Sequence, residues 1–172
     1  MDELLTEYES LVNYETRELK KAGKTRKEIE QLIEKFMDWN GNIDRNFFYE
    51  KLGDEMKVGE MTFDDIDRNK NRYNKKLKLR DEFDVVLINS DSILITEVKY
   101  KAIPDHVDEL LNKKIPNFKK LFPHYKDFKI YAAIAGLAMP ADTIKNATKN
   151  GFFVLTQSGD NIKLLNDKVK CY

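Results

Sequence analysis

The stretch that most limits how this chain can fold is Asp81-Glu82-Phe83-Asp84-Val85-Val86-Leu87-Ile88, then a polar break from Asn89 to Ser92, then Ile93-Leu94-Ile95-Thr96-Glu97-Val98-Lys99. Both runs are rich in β-branched and apolar residues and turn formers separate them, so together they predict a β-hairpin. A two-residue turn at Ser90-Asp91 sets Asn89 opposite Ser92 and fixes every later pair. Ile88 then faces Ile93, Val86 faces Ile95, Asp84 faces Glu97, and Glu82 faces Lys99. Because side chains alternate along a strand, Glu82, Asp84, Glu97 and Lys99 are expected on one face, at the end of the hairpin away from its turn.

Directly opposed like charges are destabilising, so the Asp84/Glu97 pair asks for compensation. A divalent cation supplies it: Mg²⁺ takes oxygen ligands at about 2.0–2.1 Å, keeps several waters and uses only one or two protein carboxylates. Lys99, on the same face, would stand beside that ion, and a metal with a neighbouring cation is a place where phosphate charge is stabilised. A plainer reading makes Glu97 and Lys99 a surface pair worth a few tenths of a kcal/mol. Against that reading, Phe83, Val85, Leu87, Leu94 and Val98 occupy the opposite face, and Val86, Ile88, Ile93 and Ile95 occupy the charged face nearer the turn. Strands apolar on both faces are covered on both sides, which puts the charges at the margin of a buried sheet.

At these residues the sequence resembles the PD-(D/E)XK nuclease superfamily, whose pattern is an Asp on one strand and Glu-x-Lys on the next, matched by Asp84 and Glu97-Val98-Lys99. Glu82-Phe83-Asp84-Val85-Val86 and Ile95-Thr96-Glu97-Val98-Lys99-Tyr100-Lys101 also look like a set of uncharacterised bacterial proteins of that fold with a helical N-terminal extension. The resemblance implies a restriction-endonuclease-like core over residues 41 to about 165, and a metal held by Asp84, Glu97 and the backbone carbonyl of Val98. In the resembled families a helix before the hairpin often brings one more acid toward the metal. Here Arg45 and Asn46 occupy that place, with Asp44 and Glu50 nearby, so Glu50 is an accessory candidate and otherwise a solvated helix charge.

Lysine plus arginine and aspartate plus glutamate each number 30, so any nucleic-acid surface must be local. One such surface precedes the hairpin. Arg68 to Arg80 holds seven cations and no acid, namely Arg68, Lys70, Arg72, Lys75, Lys76, Lys78 and Arg80. Six of these cations, all but Arg80, are candidates for phosphate contacts, with Tyr73 placed to stack on a base. A solvated loop or an edge strand guarded by lysines is the equal alternative. Lys113, Lys114, Lys119 and Lys120 add cations further on, where an exposed helix face is the simpler account. Cys171 is the one cysteine, so no intramolecular disulfide forms, which suits a reducing cytoplasm. The acidic start, Met1 to Glu7, lacks the order of a signal peptide, and the longest apolar run, Ile130 to Met139, is too short for a membrane span. His106 and His124 are isolated, and no zinc, P-loop, nucleophile-elbow or dinucleotide pattern occurs.

In chain order, helical spacing over residues 2–20 and over Thr25 to Met37 predicts two helices joined near Gly23, the second opened by a Thr25/Glu28 capping box. Leu5, Val12 and Leu19 repeat every seven residues. This arm, residues 1–40, either packs on its own domain or makes a homodimer or partner contact. Asn40-Gly41-Asn42 marks the boundary to a core over 41–172. There follow a short helix over Asp44–Leu52, a strand over Met61–Asp67, the hairpin, a helix from Pro104 to about 121 that Pro116 should kink or divide, and a strand over Lys129–Ala135 parallel to the hairpin. A helix over Ala141–Asn150 and strands over Phe152–Thr156 and Asn161–Leu165 complete an α/β core with a mixed sheet flanked by helices.

The expected function is Mg²⁺- or Mn²⁺-dependent hydrolysis of phosphodiester bonds, with DNA as the first candidate. Lys99 would orient or activate the attacking water, and Glu82 would tune Lys99 or assist a second ion. The alternative, from another class, is a catalytically inactive nuclease-fold module that binds protein or nucleic acid and assembles through its N-terminal helices.

Overall fold

The alternating apolar runs assemble into a mixed six-stranded sheet in the computed structural model, which describes residues 17–25, 28–29 and 45–172. The chain divides into two compact units, Met1–Asn42 and Ile43–Tyr172. In the first, a helix ends at Lys21 in a Schellman arrangement: Gly23 takes φ 76°, its N–H donates to Lys20 O at 3.1 Å, and Lys24 N–H donates to Leu19 O at 3.1 Å. The capping box forms next, with Thr25 N–H on Glu28 Oε2 at 2.8 Å and Glu28 N–H on Thr25 Oγ1 at 3.3 Å. Leu5, Val12, Leu32, Ile33, Phe36 and the Asn40-Gly41-Asn42 boundary lie outside the described residues.

The second unit begins with helix α1 (residues 45–55) and a small hairpin of β1 (Lys57–Val58) and β2 (Met61–Thr62). The six-stranded sheet runs β3 (Asp65–Asn74), β4 (Leu79–Ile88), β5 (Ser92–Lys101), β6 (Lys129–Ala138), β7 (Phe153–Ser158) and β8 (Asn161–Leu164). Its order is β3-β4-β5-β6-β7-β8, with β5-β6 and β6-β7 parallel and the other pairs antiparallel. The strand expected over Met61–Asp67 is therefore split. Met61–Thr62 belongs to the small hairpin, and β3 starts at Asp65 and carries the basic segment as a sheet edge. β4 correspondingly begins at Leu79 instead of Asp81.

Between β5 and β6 the chain crosses the sheet through α2 (Pro104–Glu109), a π-helical turn (Leu110–Lys114) and α3 (Ile115–Leu121). Pro116 has no N–H to give the preceding turn, and the helix answers by widening, with Ile115 N–H donating five residues back to Leu110 O. Helix α4 (Ala141–Lys149) then ends at Asn150, where Gly151 takes φ 74° and Phe152 N–H reaches back to Ala147 O at 3.0 Å. Val107, Leu110, Ile115, Phe118, Leu121 and Ala147 of these helices cover one sheet face, and Phe48 and Leu52 of α1, with Val58 and Phe63, cover the other. No helix among the described residues is long and apolar enough to cross a membrane.

The hairpin of β4 and β5 has the register expected near its turn: Ile88 pairs with Ile93, Leu87 with Leu94, Val86 with Ile95 and Val85 with Thr96. Asn89 holds the turn by accepting from the N–H groups of Asp91 and Ser92 on its Oδ1 at 3.0 and 2.7 Å. Past Val85 the pairing stops and the alternation inverts. Phe83 packs with Val86 on the α3 face, whereas Val85 and Leu87 pack on the α1 face. In an unbroken strand, positions 83 and 85 would share a face. β3 inverts beside it: Ile66 packs on the α1 face and Arg68 lies over Tyr49, but Lys70 and Arg72 lie over Phe122 on the other face. Between them Asn69, the residue that would face Asp84, is unpaired and takes φ 48°, a conformation Asn tolerates better than most side chains.

Candidate active site

Asp84 sits at this inversion and is unpaired in the ladder on both sides. Its carboxylate replaces the missing backbone contact, with Oδ2 accepting from Val98 N–H at 2.9 Å. Oδ1 lies 3.2 Å from Arg45 Nε on α1, close enough for an ion pair, although the guanidinium is out of line and Nε has no hydrogen-bond partner. The helix position where the resemblance implies a further acid thus holds a cation beside Asp84.

Glu97 comes from β5 on the face covered by α3. Its side chain is 7% exposed, its Oε1 lies 3.3 Å from Lys99 Nζ, and its Oε2 lies 3.9 Å from Lys114 Nζ with no hydrogen-bond partner. Burial and the Asp84 charge push the Glu97 carboxyl up to about 7, against the opposing pull of Lys99 and Lys114. A buried carboxylate oxygen without a partner is the kind of exception to hydrogen-bond satisfaction that a bound cation would resolve.

Two residues join the site that the hairpin pattern did not name. Asp81 Oδ1 lies 3.1 Å from Lys114 Nζ, and its Oδ2 accepts from Asn117 Nδ2 at 2.7 Å. Burial alone would raise the Asp81 carboxyl, but Asn117 and Lys114 outweigh it and hold it below its ordinary value. Lys114 itself is 14% exposed and also donates to the backbone carbonyl of Glu82. Burial would lower its pKa, and Glu97 and Asp81 outweigh that and raise it, so it stays charged. The π-helical turn before Pro116 carries this lysine, whereas Lys113 next to it is 60% exposed and pairs with Glu109. The sequence signal for Lys114 is that it is the one charge on the otherwise apolar stripe of Leu110, Leu111, Phe118 and Leu121.

Glu82 does not join the group as expected. The inversion at Asp84 leaves its side chain exposed. Glu50 is also exposed, and no described hydrogen bond or ion pair links it to Asp84, Glu97 or Lys99. The basic candidates divide. Arg68 lies 5.5 Å from the Tyr49 ring centre. Lys70 pairs with Asp67 and lies 5.2 Å from the Phe122 ring, which Arg72 approaches to 5.4 Å. Tyr73 is 54% exposed under Arg80, and Lys75, Lys76 and Lys78 are exposed in the turn between β3 and β4.

Among the described residues no three or more His, Cys, Asp and Glu side chains form a metal-holding group. The donors that the resemblance would assign, the Asp84 and Glu97 carboxylates with the Val98 carbonyl, are all oxygens, which would suit a hydrated Mg²⁺ or Mn²⁺ and not zinc. Comparison with curated proteins and with solved structures gives no match. A family described as "Domain of unknown function (DUF8196)" matches residues 46–164, from α1 through β8, which takes in the whole sheet together with Asp81, Asp84, Glu97, Lys99 and Lys114. With well over half of its length in that match, the chain belongs to the DUF8196 family.

Proposed function

We propose that this protein is a metal-dependent phosphodiesterase that cuts nucleic acid, DNA first among the candidates, on a core of restriction-endonuclease-like design working in the cytoplasm. The carrying observation is the buried Glu97 carboxylate, with Oε2 unpartnered, between the Asp84 charge and the Lys99 and Lys114 ammonium groups. The resemblance of Asp84 and Glu97-Val98-Lys99 to the PD-(D/E)XK pattern supports the same chemistry. Asp84, Glu97 and the Val98 carbonyl would hold Mg²⁺ or Mn²⁺, which when bound supplies Lewis-acid stabilisation of phosphate charge.

The chain's own residues take the remaining roles. Lys99 orients the attacking water and offsets charge developing on the phosphate. Lys114 keeps Glu97 from being fully protonated and ties the helical layer to the strand that carries it. Glu82 and Glu50, both exposed, would act only by reaching a second ion. Arg68, Lys70, Arg72, Lys75, Lys76 and Lys78, with Tyr73, form the candidate strand-binding edge.

A second reading has one specific observation behind it. The Arg45 guanidinium faces Asp84 from the helix that brings an acid in the resembled families, which suits a module that has given up catalysis for binding. Cleavage of plasmid and single-stranded DNA with Mg²⁺ and Mn²⁺ separates the two. Cleavage by wild type, abolished in Asp84→Ala and Lys99→Ala proteins that keep their circular dichroism, is the expected result. Cleavage that persists in either variant sinks the assignment. No cleavage by wild type, together with self-association lost on deleting the N-terminal arm, gives the binding module.

A further inference from the structure

We propose that the cavity beyond α3 is a subsite for one unpaired nucleobase, so that the substrate class of the active site is single-stranded DNA or an overhang. This rests on the nuclease reading above. The cavity has a volume of about 180 Å³, and the residues lining it include the aromatics Phe122, Tyr125, Phe128 and Tyr172 and the cations Lys119 and Lys126. No Asp or Glu side chain lines it.

Flat aromatic walls with flanking cations match the chemistry of a nucleotide: the base stacks on the rings and the phosphates meet the ammonium groups. The walls are fixed. Tyr125 stacks on Phe118 at 6.0 Å and meets Phe128 edge-on at 5.1 Å. Tyr172 is tied in by its N–H to Ile130 O at 2.8 Å, by its hydroxyl to Asn150 O, and by an edge-on contact with Phe152 at 5.5 Å.

Phe122 joins this cavity to the sheet edge, because Lys70 and Arg72 of β3 lie over its ring. α3 joins it to the carboxylates, with Lys114 just before its first residue and Lys119 within it. Five residues of helix rise about 7.5 Å, a separation that a short stretch of one strand spans. A strand lying along α3 would therefore present a phosphate to Glu97 and Lys99 while a base a short way along enters the cavity. A base inside an intact duplex is stacked and paired and cannot enter.

The test is binding without metal, so that it does not depend on cleavage. Anisotropy of fluorescein-labelled oligo(dT) in EDTA is compared with that of a blunt hairpin duplex, for wild type, for Lys119→Glu/Lys126→Glu, for Phe128→Ala and for Lys145→Glu at an exposed position of α4. The proposal expects single-strand binding to be about tenfold tighter than duplex binding, and about tenfold weaker in the double variant and in Phe128→Ala. It expects no change in Lys145→Glu. Lys119 and Lys126 are exposed, so their reversal leaves the fold intact. Wild-type affinity in the double variant, equal binding of duplex, or no binding of oligo(dT) by wild type would each overturn the subsite. None of these outcomes touches the metal site, which is read separately by metal titration of the protein without DNA.

Discussion

The two ends of the β4-β5 hairpin differ as much as any two regions of the molecule. At the turn end, Val86, Leu87, Ile93, Leu94 and Ile95 are fully buried in a regular ladder. At the open end the β4-β5 ladder stops, Asp84 is unpaired toward both β3 and β5, and side-chain charges from α1, β5 and the π-helical turn fill the gap. One end spends its residues on hydrophobic burial. The other keeps buried carboxylates that repel each other, which a fold tolerates where chemistry needs them.

Four substitutions sharpen that contrast, taken from the largest effect to the smallest. Ile95→Ala at the turn end should cost about 3–4 kcal/mol in urea denaturation, through lost burial and the cavity left behind. A cost below about 1 kcal/mol would mean the turn end is not the rigid half. Lys114→Met should cost about 2–3 kcal/mol at about pH 8, because it removes the cation shared by two buried carboxylates and leaves them only Lys99 and Asn117. The cost should shrink at about pH 6, where Glu97 takes up a proton instead.

Glu97→Gln works in the opposite direction. Its carboxyl lies at about 7 in the folded chain against 4.5 as its ordinary value, so the folded state holds the proton more tightly. Stability from this group is therefore full below the ordinary value and is lost as pH rises toward about 7. The Gln variant should melt higher than wild type above that range, by on the order of 2 kcal/mol, and match it in acid. Equal melting at both ends of the range would remove Glu97 as the strained group. The smallest effect is expected from Asn69→Gly, which relaxes the positive φ opposite Asp84 and should stabilise by about 0.5 kcal/mol.

How much of this was legible in the sequence follows the same division. The turn end was readable because period-two apolar residues and Asn89-Ser90-Asp91-Ser92 fix a register by local rules alone. The capping box at Thr25 and the helix stop at Asn150-Gly151 were readable for the same reason. The open end was readable only in part. Asp84, Glu97 and Lys99 do converge on one region, but Glu82 leaves it and Asp81 enters, since the alternation inverts where Asn69 adopts a left-handed conformation that no local pattern announces. Lys114 was hidden by its helix: Pro116 widens the preceding turn, and a charge on an apolar stripe becomes a bridge between two carboxylates. Arg45 carried no signal of its contact, because its distance in sequence from Asp84 leaves the pairing to tertiary packing.

Calorimetric titration of Mn²⁺ and Mg²⁺ into wild-type and Glu97→Gln protein at about pH 8, where Glu97 is mostly ionised, tests the central claim most directly. The account predicts saturable binding to wild type with about one ion per site, and none to the variant. Binding of equal strength to both proteins, or to neither, would contradict a metal centre at Asp84 and Glu97.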